Sequence, residues 1–117
     1  TETLEFLRNY TVDRCMIGTS GFSAEGVSET VHGFAAIKRE MLRRAGVRQL
    51  LVGSEKFGQK GLVRVAGLEG LDTIFVDARP QKKLLAALDA AGVDIRVADQ
   101  AMSRTQSEQM KPREEKT

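Results

Sequence analysis

An open, mainly parallel α/β sheet flanked by helices is the architecture this sequence predicts, and three observations carry it. Short apolar runs rich in β-branched residues alternate with segments of helical periodicity along the 117 residues, which is the pattern of βα units with right-handed crossovers. Gly-rich stretches follow the apolar runs, where strands hand over to loops. The composition, 41% hydrophobic and 29% charged, is that of a single globular domain with a modest core.

Each element follows in order. Leu4, Phe6 and Leu7 at helical spacing predict a short helix over residues 2–9. Val12 to Ile17 is a compact apolar run, read as a buried strand. Gly18 to Gly26, rich in Gly and Ser, reads as a loop. A long helix is expected from Ser28 to Ala45, with Ser28 as N-cap, Glu29 in the first turn and Arg43 and Arg44 in the last. Gly46 would end it in the left-handed region. Val47 to Val52 reads as a second strand, closed by Gly53 and Ser54.

Residues 59–67 stay open. Leu62, Val63 and Ala66 fit a helix face, and Val63-Arg64-Val65 fits extended chain. Thr73 to Val76 is a third strand. Pro80 marks a helix start, and Leu84, Leu85, Leu88 and Ala91 form its apolar stripe up to Gly92. Val93, Ile95 and Val97 alternate with polar residues, as expected of a fourth strand nearer the sheet edge. Residues 1–102 form the domain, and the polar segment 103–117 is expected to be a disordered tail. The chain starts at Thr1 rather than Met, so it reads as a piece of a longer polypeptide.

Composition narrows the function. A net charge of +2 with 5% aromatics and no Trp is a poor match to a surface that binds nucleic acid. The lone Cys15 and lone His32 leave no basis for a disulfide or a metal site. No signal peptide is visible and no apolar run approaches the roughly 20 residues that span a bilayer, so a cytoplasmic location is expected.

In open parallel sheets, ligands sit at the carboxyl ends of the strands. Those ends are here the loops Gly18–Gly26, Gly53–Gly58 and Asp77–Arg79. In the first loop, glycines permit close backbone approach while Thr19, Ser20 and Ser23 bring hydroxyls and N–H groups that can cradle an anion. A plain Gly/Ser turn is the competing reading. Lys38 falls on the stripe of Val31, Phe34, Met41, Leu42 and Ala45. An ammonium there calls for a carboxylate partner or a bound anion, unless its stem snorkels to water. Lys56, just past the second strand, is placed to meet a phosphate as a point charge, although a loop lysine is ordinarily just solvated. Asp77 can hydrogen-bond a sugar hydroxyl, but capping the next helix is the stronger role on sequence alone. The candidate ligand-binding set is Ser20, Gly21, Lys38, Ser54, Lys56 and Asp77. There is no Gly-x-Ser-x-Gly elbow, no P-loop, no Gly-x-Gly-x-x-Gly fingerprint and no acidic pair in the site loops.

Several segments together resemble the C-terminal sensor domain of the DeoR-type family of bacterial transcriptional repressors. Leu50-Leu51-Val52-Gly53-Ser54-Glu55-Lys56-Phe57-Gly58 is similar to the family's Leu-Leu-x-Asp-x-Ser-Lys-Phe-Gly. Val12 to Gly18 resembles its Asp-x-x-Phe-Ile-Gly, Gly26-Val27-Ser28 its Gly-x-Thr, Ile37-Lys38-Arg39 its Val-Lys-Arg, and Phe75-Val76-Asp77 its Ile-Thr-Asp. The resemblance runs from Leu7 to Asp99. It implies the Rossmann-like fold shared with ribose-5-phosphate isomerase, and a sensor that binds a phosphorylated sugar or polyol without any cofactor. It also implies a homo-oligomer, with DNA contacted only through an N-terminal helix-turn-helix absent from this chain.

The family's first sensor strand and Gly-Gly-Thr loop are likewise missing, so the chain reads as a fragment of the full sensor domain. Two departures stand out. The isomerase-type Asp-Gly-Ala-Asp run is Ile17-Gly18-Thr19-Ser20 here, which argues against proton transfer between aldose and ketose. The family's Asp of the second motif is Gly53. The competing expectations are a phosphosugar isomerase-like enzyme and an oligomerisation domain with a vestigial pocket.

Overall fold

The computed structural model describes residues 2–98; the tail expected at 103–117 lies outside them. Alternation of strand and helix builds a four-stranded sheet in the order β1 (Val12–Ile17), β4 (Ala45–Val52), β6 (Thr73–Val76), β7 (Asp94–Val97). All three pairings are parallel, and Ile17, Leu50, Ile74 and Ile95 line up across it. Leu50 and Ile74, on the central strands, are fully buried, whereas β7 lies at the edge. The expected mainly parallel α/β sheet is therefore present.

The first helix, α1, spans Glu2–Leu7, and α3 spans Lys82–Ala90. Helix α3 buries Leu88 against the sheet and ends at Gly92, whose φ of 75° is the left-handed value glycine tolerates. Pro80 stands two residues ahead of the first helical position, with Gln81 at the N-cap.

Residues 18–29 depart from expectation. Gly21–Ser23 (β2) and Gly26–Glu29 (β3) form an antiparallel hairpin, and Val63–Ala66 (β5) adds to it, making a second, three-stranded sheet. Two glycines make this possible. Gly26 turns the hairpin at φ 119°, and a Cβ on Gly21 would stand 2.7 Å from the Gln59 carbonyl oxygen. Phe22 and Val27, paired across the hairpin, are both fully buried, so apolar burial overrides the Gly/Ser turn chemistry.

Within the open segment 59–67, Val63–Ala66 is consequently a strand, since β3 supplies it with a partner. Ser28 is no N-cap. It lies in β3, where its Oγ accepts the Gly61 N–H at 2.7 Å. The second helix, α2, starts at His32 and runs to Arg44, burying Ala35 and Leu42 while Phe34 stays exposed. It passes directly into β4 through extended Ala45, so Gly46 takes no left-handed turn. Residues 45 and 46 belong to the strand because they pair with β1 from Val12 onward.

Candidate functional site

Two polar clusters stand at the carboxyl ends of the parallel strands. The first is built around Glu29, the last residue of β3, which is 2% exposed. Its carboxylate accepts the Ser20 hydroxyl at 2.7 Å, the Ser20 N–H at 3.1 Å and the Lys38 ammonium. Lys38 reaches it from the middle of α2 and also donates to the Gly18 carbonyl at 2.8 Å. The carboxylate partner that the Lys38 position called for is thus Glu29, a residue assigned from sequence to the first turn of the helix. Burial pushes the Glu29 carboxyl upward, but the hydrogen bonds from Lys38 and Ser20 and the Lys38 charge outweigh it and hold the group below its ordinary value. Gly21 sits beside this cluster, its N–H donated to the Thr19 hydroxyl at 3.3 Å.

The second cluster joins the ends of β4 and β6. The Asp77 carboxylate accepts the Ser54 N–H at 2.7 Å and the Ser54 hydroxyl at 3.2 Å. Asp77 does not cap α3. Pro80 and Gln81 intervene, and Gln81 occupies the cap position. Lys56, in the 3₁₀ turn Ser54–Lys56, is half-buried, and its side chain engages no hydrogen bond or ion pair among the described residues. The space that a side chain at Gly53 would take is held by the Glu55 carboxylate, so an acid stands there although the backbone position is glycine.

Beyond this pair, the hairpin turn, the chain after the 3₁₀ turn and the start of α3 enclose a cleft of about 650 Å³. Ser54, Phe57, Lys60, Arg79, Lys83 and Glu25 are among its lining. Sequence reasoning missed Lys60, Arg79 and Lys83, since no periodicity marks residues brought together only by the turns. The structure therefore unites Ser20 with Lys38 and Ser54 with Asp77, and leaves Lys56 separate. Among the described residues no group of three or more His, Cys, Asp or Glu is placed to hold a metal ion. No described helix is long and apolar enough to cross a membrane. The arrangement offers hydrogen-bond donors and cations, which suits holding an anionic ligand.

The sequence profile of the DeoR C terminal sensor domain matches residues 1–78. The chain belongs to this family. Among curated proteins, the sensor domain is 28% identical over 100 residues to the HTH-type transcriptional repressor GlcR of Bacillus subtilis (strain 168), covering 86% of this chain and 39% of that protein. It is 25% identical over 87 residues to the glycerol-3-phosphate regulon repressor of Escherichia coli (strain K12), covering 74% of this chain and 34% of the repressor. The protein of the same name from Shigella flexneri matches equally. The sensor domain thus spans well under half the length of these relatives.

Proposed function

We propose that this domain senses a phosphorylated sugar or polyol on behalf of a transcriptional repressor, without chemically converting it. Binding would bias the DNA affinity of a helix-turn-helix carried elsewhere in the repressor, through two states for which the ligand has different affinity. A homo-oligomer in the cytoplasm is the setting this reading expects. The observation that carries it is the convergence of Ser54, Asp77 and a cation-lined cleft at the carboxyl ends of β4 and β6, where open parallel sheets take ligands. Ser20, Gly21, Lys38, Ser54, Lys56 and Asp77 remain the proposed polar contacts, with Ser20 and Lys38 engaging ligand only by sharing or displacing Glu29. The names of the repressors it resembles, one of them for glycerol 3-phosphate, support a phosphorylated effector. Ile17-Gly18-Thr19-Ser20 offers no carboxylate for proton transfer, which favours sensing over isomerisation.

The test is a thermal-shift comparison of the domain and the whole repressor against sugar and polyol phosphates. A ligand present at one hundred times its Kd adds about 2.7 kcal/mol, which moves a domain of this size by several degrees. One phosphate ester raising Tm while its unphosphorylated parent does not is the expected result. Indifference to every ester would move the oligomerisation reading ahead, a reading favoured by exposed Met16 and Phe34 beside the free edge of β1.

A further inference from the structure

We infer that Glu55 is a specificity residue for the proposed ligand: its carboxylate, folded back over Gly53, accepts hydroxyl groups of the sugar or polyol. The inference rests on the sensing role proposed above and names a residue that reads the uncharged part of the molecule. It begins with Gly53, at the end of β4. The backbone there stands at φ −77° and ψ 149°, an extended conformation that any residue adopts. No turn requires a glycine at this position. The three atoms nearest to a Cβ built on Gly53 are the two carboxylate oxygens and the carboxyl carbon of Glu55, all within 2.7 Å. What the glycine provides is room for that carboxylate.

Nothing within the fold claims the acid. Glu55 is exposed, and its side chain makes no hydrogen bond or ion pair among the described residues. It lines a groove of about 580 Å³ at the carboxyl ends of β4, β6 and β7, together with Leu51, Phe75, Asp77 and Arg96. Ser54 fixes Asp77 by donating both its N–H and its hydroxyl. Arg96 is already matched by Asp94 at 2.8 Å.

Charge decides which part of the ligand fits. Two ionised carboxylates lining one groove repel a phosphate, so the groove takes the end of the ligand that carries no charge. Carboxylates accept O–H donors in charge-assisted bonds, about twice as strong as neutral ones. Leu51 and Phe75 beside them offer an apolar wall for the carbon chain of a polyol.

The experiment is a titration of the 117-residue chain, followed by amide NMR at Ser54 and Asp77. The probes are glycerol 3-phosphate, ribose 5-phosphate and sorbitol 6-phosphate, set against propyl phosphate, which keeps the phosphate and lacks the hydroxyls. Wild type should prefer one of the hydroxylated esters over propyl phosphate by about tenfold, the scale of one charge-assisted hydrogen bond. Glu55→Ala should erase that preference by weakening the hydroxylated ester alone. Gly53→Ala should do the same, since its Cβ takes the space of the Glu55 carboxylate, and the double variant should be no worse than either single one. Both single variants should keep the wild-type urea midpoint, because only an exposed, unpaired side chain is lost or moved. A merely structural role would reverse this pattern, lowering the midpoint and sparing the preference. Esters that bind without any preference over propyl phosphate, or a preference undiminished in Glu55→Ala, would overturn the assignment and leave the sensing role standing. A preference lost in Glu55→Ala but kept in Gly53→Ala would overturn the folded-back placement. Absence of saturable shifts with every ester sinks the sensing role, and the assignment with it.

Discussion

The Glu29 cluster and the Arg79 cleft lie at the same end of the sheet, yet they are opposites. In the first, one buried carboxylate satisfies an ammonium, a hydroxyl and an N–H, and no side-chain polar atom buried among the described residues is left without a partner. In the second, two exposed cations have nothing to hold. The lesson is that polar residues at one edge of a sheet divide into those paired within the fold and those left to the solvent. Burial separates them, because a buried charge must be paired in the folded state while an exposed one is sustained by water.

That contrast is broken most directly by deleting Glu29. Glu29→Ala strands Lys38 and the Ser20 donors and should cost about 3 kcal/mol by urea denaturation. Arg79→Ala should stay within about 0.5 kcal/mol of wild type. Equal losses in the two variants would erase the distinction.

A smaller effect is expected from crowding the hairpin beside Glu29. At Gly21 an added Cβ meets the Gln59 carbonyl at 2.7 Å and Ser28 Oγ at 2.8 Å, so Gly21→Ala should cost about 1–3 kcal/mol. Gly18 has nothing within 4 Å of that position, and Gly18→Ala should be neutral or slightly stabilising.

Acid sharpens the comparison further. The Glu29 carboxyl is held below its ordinary value of 4.5 in the folded chain. Its contribution is therefore complete above that value and disappears as pH falls through the lower folded value. Asp72 acts in the same direction. Hydrogen bonds from the Arg48 side chain and N–H, midway along β4, hold it below 3.8 at the amino end of β6. Stability followed from pH 6 to pH 3 should fall, and Glu29→Gln should flatten the part of the decline due to Glu29 (an unchanged slope would remove the pairing from the stability account).

The smallest expected effect lies at α3, whose first turn holds Lys82 and Lys83 with no acid and no side-chain cap. Lys82→Glu should stabilise the domain by about 0.5 kcal/mol, since a negative charge there suits the helix dipole. A chemical-denaturation midpoint that moves down instead would show that the lysine makes a compensating contact.

Much of the frame was legible before any coordinates. The four parallel strands were visible because central strands such as Leu50–Val52 and Thr73–Val76 are locally apolar and β-branched, and Gly92 punctuated the last helix. The hairpin was not legible. Gly21–Ser23 and Gly26–Glu29 are short and rich in turn-forming residues, and they become strands only because β5 closes beside them. The site was half legible. Lys38 announced its need for a partner, but Glu29 lies nine residues earlier, a spacing that places two residues on no common helix face.

By itself, then, the sequence determined the order of strands and helices, the carboxyl-end location of the candidate site and the family resemblance. These rest on local periodicity and on motifs of consecutive residues. Tertiary structure alone decided the second sheet, the pairing of Ser54 with Asp77, the neutralising of Lys38 by Glu29 and the gathering of Lys60, Arg79 and Lys83. Each depends on contacts between segments distant in the chain, where burial and charge balance are set by neighbours that no local pattern encodes.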